Sequence, residues 1–187
     1  MHLTRYSMYR RIRTALDTPI SGRVLGISGI ENFGDMMAPE AEILDTSYPD
    51  VDAENLQFSD AQFDWVISDQ VLEHIAHPPR AIAESFRVLK PGGIAIHTTC
   101  FLNPLHRYPE DYFRFSCAAL ASLVEPYAEV LHCASWGNRY AAALIMVADR
   151  IRGMHIPDRG GPRHWLATYN EEKYPIHVWV IARRKGW

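Results

Sequence analysis

One stretch constrains this chain more than any other: residues 55–93, NLQFSDAQFDWVISDQVLEHIAHPPRAIAESFRVLKPGG. It reads as a turn, a buried strand, a polar strand end, an amphipathic helix and a stop. In FDWVIS (63–68) the apolar residues Phe63, Trp65, Val66 and Ile67 outnumber the polar ones. Such a run suits a strand covered on both faces in a parallel sheet. Pro78 and Pro79 suit the first turn of the helix that follows. Ile82, Phe86 and Leu89 then recur on one face. Lys90 falls in the last turn, and Pro91-Gly92-Gly93 ends the helix. A strand feeding a helix in this way belongs to an α/β protein.

The rest of the chain extends the alternation. Residues 4–16 set Tyr6, Tyr9, Ile12 and Leu16 at helical spacing, so 1–21 is expected to be an N-terminal helical segment. Residues 23–28 (RVLGIS) and 41–45 (AEILD) are strand candidates, with a loop or short helix over 30–40. After the central helix come a strand at 94–99, a helix at 117–125 capped by Ser116, and a strand at 128–134. A helix is expected over 140–151. The Gly/Pro-rich stretch 153–172 reads as a mobile loop, and 176–183 (IHVWVIAR) as a terminal strand. With 187 residues, a single domain spanning 1–187 is expected.

The net charge of −3 implies no general attraction to nucleic acid or to an anionic membrane. Arginines 5, 10, 11 and 13, and the basic cluster 183–185, read as solvated faces. The N-terminal residues are too charged for a secretory signal, and the longest apolar run, 140–148, is far short of the ~20 residues that span a bilayer. Cys100, Cys117 and Cys133 are odd in number and lack metal-type spacing, so free thiols in the cytoplasm are expected. Trp136, Tyr140 and the 144–147 run offer a face for the core, a second copy or a protein partner.

Four segments resemble class I S-adenosylmethionine (SAM)-dependent methyltransferases of the type 11 kind. NLQFSDAQFDWVIS is similar to the turn and fourth strand of that family, and SDQVLEH (68–74) to the segment after it. RVLKPGG (87–93) resembles its helix-to-strand stop. HRYPEDYFRF (106–115) resembles an element found in a subgroup associated with glycan and lipopolysaccharide biosynthesis. Together the segments cover roughly residues 23–150. The resemblance implies a Rossmann-like three-layer sandwich, with a mostly parallel sheet and an antiparallel terminal strand. It also implies SAM as cofactor and a small-molecule acceptor, such as a sugar or glycan precursor. Residues Ser28, Gly29, Asp45, Asp52, Ala53 and Ser68 would hold the cofactor. His106, Asp69 and Tyr112 would serve the acceptor as catalytic residues.

The chain departs from the family where the cofactor cradle should lie. Gly26 occupies the usual acidic position, while Ser28 and Ile30 replace loop glycines. A β-branched residue does not readily take positive φ. Only seven positions separate Asp45 from Asp52, too few for a helix and a strand, so the second crossover is shortened. These losses raise the alternative of a non-catalytic, methyltransferase-like binding or regulatory protein. Occupation of the pocket by Ile30 or Phe33 would favour it. Each candidate also has a purely structural reading. Asp45 suits a solvated strand end, Glu73-His74 a first helical turn, and the 106–115 loop internal ion pairing. HxxH at His74 and His77 is not a zinc-protease pattern, so no metal is expected there. A nicotinamide oxidoreductase would need GxGxxG after the first strand, which is absent. GGPRHW (160–165) is a candidate lid.

Overall fold

The strand read from FDWVIS is β3 (Phe63–Asp69), and it runs through the middle of a six-stranded sheet. The computed structural model describes residues 3–157 and 159–186. Strands β1 (Arg23–Ile27) and β2 (Glu42–Thr46) lie to one side of β3; β4 (Leu89–Cys100), β6 (His177–Arg184) and β5 (Ala128–Trp136) lie to the other. The order is β2-β1-β3-β4-β6-β5. The first four pair in parallel, whereas β6 runs antiparallel to both β4 and β5.

Alternate residues of the central strands feed two cores. Val24, Trp65, Ile67, Ile96 and Trp179 face one layer. That layer holds α1 (Leu3–Ala15), α4 (Arg139–Val147), α5 (Gly161–Thr168) and the 3₁₀ turn Glu31–Met36. Leu25, Val66, Ala95, Val178 and Val180 face α2 (Pro78–Val88) and α3 (Cys117–Val124). The period of two thus distributes apolar residues to both sides, as a three-layer sandwich requires.

Several boundaries differ from those read in the sequence. The central helix ends at Val88, and Leu89, Lys90 and Pro91-Gly92-Gly93 belong to β4. Leu89 pairs with Phe63, and the Lys90 ammonium grips the Asp64 carboxylate at 2.8 Å. Burial of Leu89 beside the sheet wins over one further helical turn. Instead of one helix over 140–151, α4 stops at Val147 and a 3₁₀ turn, Asp149–Gly153, follows. The segment 153–172 contains helix α5, whose Pro162 sits in its first turn; residue 158 of that segment lies outside the described residues. Within 1–21, residues 1 and 2 are likewise outside them. Ser116 caps α3 as its sequence suggests, accepting from the Ala119 N–H.

Trp136 is fully buried, whereas Tyr140, Leu144, Met146 and Val147 are exposed on α4. No helix among the described residues is long and apolar enough to cross a membrane. Between β2 and β3 the link 47–62 contains no helix or strand, so the second crossover is indeed short. Ile43 and Leu44 of edge strand β2 are half-exposed in consequence.

Past β5 the chain turns sharply at Gly137. Its N–H donates to Asn170 Oδ1 at 2.9 Å, and its carbonyl accepts from the Glu171 N–H at 2.7 Å. The backbone of residues 174–176 fills the space where a β-carbon would stand.

Candidate functional site

The chain leaves β1 toward β2 and returns on the far side of β1 as β3, so a crevice opens at the carboxyl ends of β1 and β3. In open α/β sheets this switch point is where ligands bind. A cleft of about 890 Å³ lies there. Two non-glycine residues that line it adopt left-handed backbone angles: Ser28 (φ 65°) as the chain leaves β1, and Gln70 (φ 60°) as it leaves β3. Such residues cluster where a site dictates backbone shape. Ser28 therefore takes a conformation that glycine adopts without strain, and Gly29 (φ 87°) follows it.

Asp45 stands across this turn. Its carboxylate accepts from the N–H groups of Gly29 (3.3 Å), Ile30 (3.4 Å) and Thr46 (3.1 Å). Gly26, its register partner on β1, leaves the space that Asp45 and Ile30 occupy; a β-carbon there would press on both. Ile30 and Phe33 turn into the core beneath α1 and do not line the cleft. The Ser28-Gly29 turn and Asp45 thus meet at one end of the cleft.

Of the residues singled out in the sequence, Ser28, Gly29, Asp45, Asp52, Ala53 and Tyr112 line this cleft together. Asp52 accepts from the Glu54 N–H at 2.8 Å and holds its turn in place. Tyr112 is half-exposed, and its N–H is anchored on the Glu73 carbonyl at 2.8 Å.

Ser68, Asp69 and His106 are placed elsewhere. Ser68 is buried under the cleft floor, where its hydroxyl meets His97 Nδ1 at 2.7 Å. Asp69 points to the opposite face of the sheet. It accepts from the Tyr9 hydroxyl (2.5 Å), the Thr98 hydroxyl (2.6 Å) and the Asn32 amide (3.4 Å). Burial, with the Asp69 charge beside it, pushes the Tyr9 hydroxyl far above its usual range, so the tyrosine stays a donor. The Tyr9 bond fastens α1 to the sheet, and the Asn32 bond ties in the 3₁₀ turn Glu31–Met36. They correct the expectation of Asp69 as an acceptor base: its oxygens are engaged, and it lines no part of the cleft. α5, the lid candidate, packs on α1 through Ser7 and Ala167 and contributes nothing to the cleft lining.

His106 lies just behind the cleft wall in a polar cluster that sequence spacing did not reveal. Its Nδ1 is 3.1 Å from Asp111 Oδ2. Arg114, hydrogen-bonded to Asp111, holds that carboxyl far below the usual carboxylate range. Next to His106 is Glu73, wholly buried, on the 3₁₀ turn Leu72–His74. Glu73 Oε2 accepts from the Thr99 hydroxyl at 2.7 Å, but Oε1 has no nitrogen or oxygen donor among the described residues. The His74 ring stands edge-on to His106 with centroids 4.8 Å apart, and it does line the cleft. His77 turns away to Glu54, 2.9 Å from its Nδ1, which separates the two halves of HxxH. Burial and the Glu73 charge raise the neighbouring Cys100 thiol above its normal range, so it stays protonated. Arg114 is bound to Asp111 and to the Asn103 carbonyl. Cys100, Cys117 and Cys133 are free.

Sequence comparison matches residues 14–97 to a family described as a methyltransferase domain. A ubiquinone biosynthesis O-methyltransferase of Psychrobacter cryohalolentis is 33% identical over 166 residues, covering 83% of this chain and 62% of that protein. The curated relatives it matches are longer; the chain spans 21% to 62% of their lengths. Among solved structures, the [4+2]-cyclase SpnF superposes with a TM-score of 0.59 at 17% identity, over 97% of this chain and 82% of that one. A Haemonchus contortus phosphoethanolamine N-methyltransferase, solved with S-adenosylhomocysteine, gives 0.60 at 15% identity, over 97% and 53% of the two chains. At such identities these likenesses concern the fold.

Proposed function

From the match of residues 14–97 to a methyltransferase domain and the order of the sheet, we propose that this chain is a class I, Rossmann-like methyltransferase that transfers a methyl group from SAM to a small-molecule acceptor. One observation carries the proposal. The Ser28-Gly29 turn adopts the left-handed backbone of a cofactor cradle beside an open cleft, with Asp45 facing it. A non-catalytic, methyltransferase-like protein would be favoured by a cleft plugged with its own side chains. Ile30 and Phe33, the two nearest candidates, are instead buried in the core.

In this reading the Ser28-Gly29 turn lies against the methionine part of the donor. Asp45 already accepts three backbone N–H groups, but a carboxylate offers about four lone-pair sites, which leaves room for a ribose hydroxyl. Asp52 and Ala53 border the adenine. A cleft of about 890 Å³ is large enough for a nucleoside donor and a small acceptor together. At the acceptor end stand Tyr108, Tyr112, Val71 and Ile75, with His74 among them. Aromatic and aliphatic walls with one imidazole suit a flat ring that bears a hydroxyl. This end of the cleft gives a sugar precursor no particular support, and the relative named for ubiquinone biosynthesis points the same way as the aromatic lining. The sulfonium already makes the methyl electrophilic. The protein's part is to hold the acceptor atom in line behind it and to keep bulk water away.

Isothermal titration with SAM and with its demethylated product tests the reading. Binding heat and an upward melting shift are expected, since a ligand that binds only the folded state stabilises it. Neither signal with either compound would end the enzymatic account. Asp45→Ala is expected to weaken SAM binding roughly 10- to 100-fold, because it strips acceptors from the Gly29 and Ile30 N–H groups and from the ribose together. Asp45 is exposed, so the fold should survive the change. Ser28→Gly is expected to leave affinity within a few-fold of the native protein, since glycine takes the same backbone angles without strain.

A further inference from the structure

We propose that Glu73, His74 and His106 hold a borderline divalent transition ion of the zinc or ferrous-iron type at the inner end of the cleft. The site stands on its own donor set and does not depend on the methyl-transfer reading. Each of the three residues offers one ligand atom, and these atoms lie within 4.8 Å of one another. His106 Nε2 is 3.8 Å from Glu73 Oε1, too far for a hydrogen bond. That oxygen is fully buried and has no nitrogen or oxygen donor among the described residues, the weak Cys100 thiol being the carboxylate's other neighbour, an arrangement folded proteins rarely leave unexplained. A cation on the line between the two residues would satisfy it.

The ring contacts of the two histidines suit metal ligation. His74 Nδ1 is 2.5 Å from the Glu110 carbonyl, which can only accept. Nδ1 therefore carries the proton, and Nε2 keeps its lone pair. His106 Nδ1 faces the Asp111 carboxylate and the Pro104 carbonyl, at 3.1 Å and 3.2 Å. Both are acceptors, and Arg114 holds the Asp111 carboxyl in place through a hydrogen bond to its Oδ2. The Asn103 amide, whose nitrogen lies 3.0 Å from the same Nδ1, can turn its oxygen to that proton. In the neutral ring, His106 Nε2 is then the atom left to bind a cation. A ring proton held by a carboxylate or backbone carbonyl is the usual outer support of a metal-bound histidine.

Two imidazoles and one carboxylate select a borderline transition ion over magnesium or calcium, which prefer all-oxygen shells. Three protein ligands also leave a position open, as catalytic zinc sites do. Donors about 2.1 Å from a tetrahedral ion lie roughly 3.4 Å apart, so the widest pair here must close by roughly 1.5 Å at most. His106 and Asp111 sit on the 106–115 loop, and His74 ends a 3₁₀ turn, so small movements of both suffice. His74 lines the cleft and would bring the open position next to Tyr112 and any acceptor there.

Titration of the metal-stripped chain with zinc, and with cobalt(II) as a coloured substitute, tests the site. About one ion per chain is expected, with the visible absorption of low-coordinate cobalt. His74→Ala and His106→Ala should each lose roughly 10- to 100-fold in affinity, and Asp111→Asn a smaller part of that loss. His77→Ala should retain native binding. No cobalt absorption in the native chain overturns the proposal whatever the variants do, and so does equal binding by native chain and both histidine variants. SAM titration of the same samples separates the two readings: metal binding without SAM binding leaves this site standing, and the reverse removes it alone.

Discussion

Gly137→Ala is expected to cost about 3 kcal/mol or more of stability, which lowers the melting temperature by roughly 6–12 °C in a chain of this size. The reason is local and steric. A β-carbon at Gly137 would overlap the Tyr174 carbonyl and the Pro175 backbone, and would lie 2.5 Å from the Ile176 nitrogen. These are backbone atoms at the entry to β6, so no rotamer change relieves the contact. The Ile176 N–H is bonded to the Trp136 carbonyl at 2.8 Å, and a shift of either strand pulls on the other. Gly153→Ala is the matched control, because nothing lies within 4 Å of its β-position. Thermal unfolding of the two variants decides the matter. A Gly137→Ala melt indistinguishable from that of Gly153→Ala would show that the turn has slack the structure does not reveal.

Acid should destabilise the protein through its buried histidines. Burial pushes the His97 imidazole down from 6.5 to about 4, and it pushes His177 well below the ordinary histidine value in the same way. Both rings are buried and neutral in the folded protein. In the unfolded chain they take up a proton once the pH falls below about 6.5. The unfolded state then binds more protons, so stability present at pH 7 is lost as the pH falls from about 6.5 toward about 4. At about 1.4 kcal/mol for each tenfold change in proton affinity, His97 alone contributes on the order of 3 kcal/mol across that window. Urea unfolding at pH 7.5, 6, 5 and 4.5 gives the slope. His97→Gln should flatten it, because glutamine can still meet the Ser68 hydroxyl but does not titrate. An unchanged slope in that variant would mean that other groups cause the acid loss. The effect bears on function: His97 and Ser68 support the cleft floor from below, so an acid-weakened floor should weaken ligand binding over the same range.

The sequence made β3 legible because four large apolar residues in six positions demand cover on both faces. It made α2 legible through the recurrence of Ile82 and Phe86 on one face. The Pro-Gly-Gly signal was misplaced because it marks a backbone that cannot stay helical, not the residue at which the helix ends. Helix α5 escaped because Gly160 and Gly161 ahead of a proline look like loop chemistry, although the same proline suits a helix start. In the site, backbone conformation at Ser28 was hidden: residue type argues against positive φ, and only the pairing of its N–H with the Thr46 carbonyl at 2.7 Å reveals what the turn requires. Asp69 was placed correctly at a strand end but assigned the wrong face, since its partner Tyr9 is 60 positions away. The Glu73-His74-His106 cluster was invisible for the same reason. Two of its members are adjacent and the third lies 32 residues on, a spacing that matches no local motif.

The link 47–62 has kinetic consequences for whatever occupies the cleft. Its cleft-lining part, 47–54, is held by single turns, Val51 to Ser47 and Asn55 to Asp52, and by the grip of Glu54 on His77, while Glu84 and Arg87 of α2 pin residues 56–60. A nucleoside seated behind such a strap can depart without a helix having to lift away. A nucleoside bound there should therefore exchange quickly. Long residence, where it is observed, would have to come from the Ser28-Gly29-Asp45 side alone.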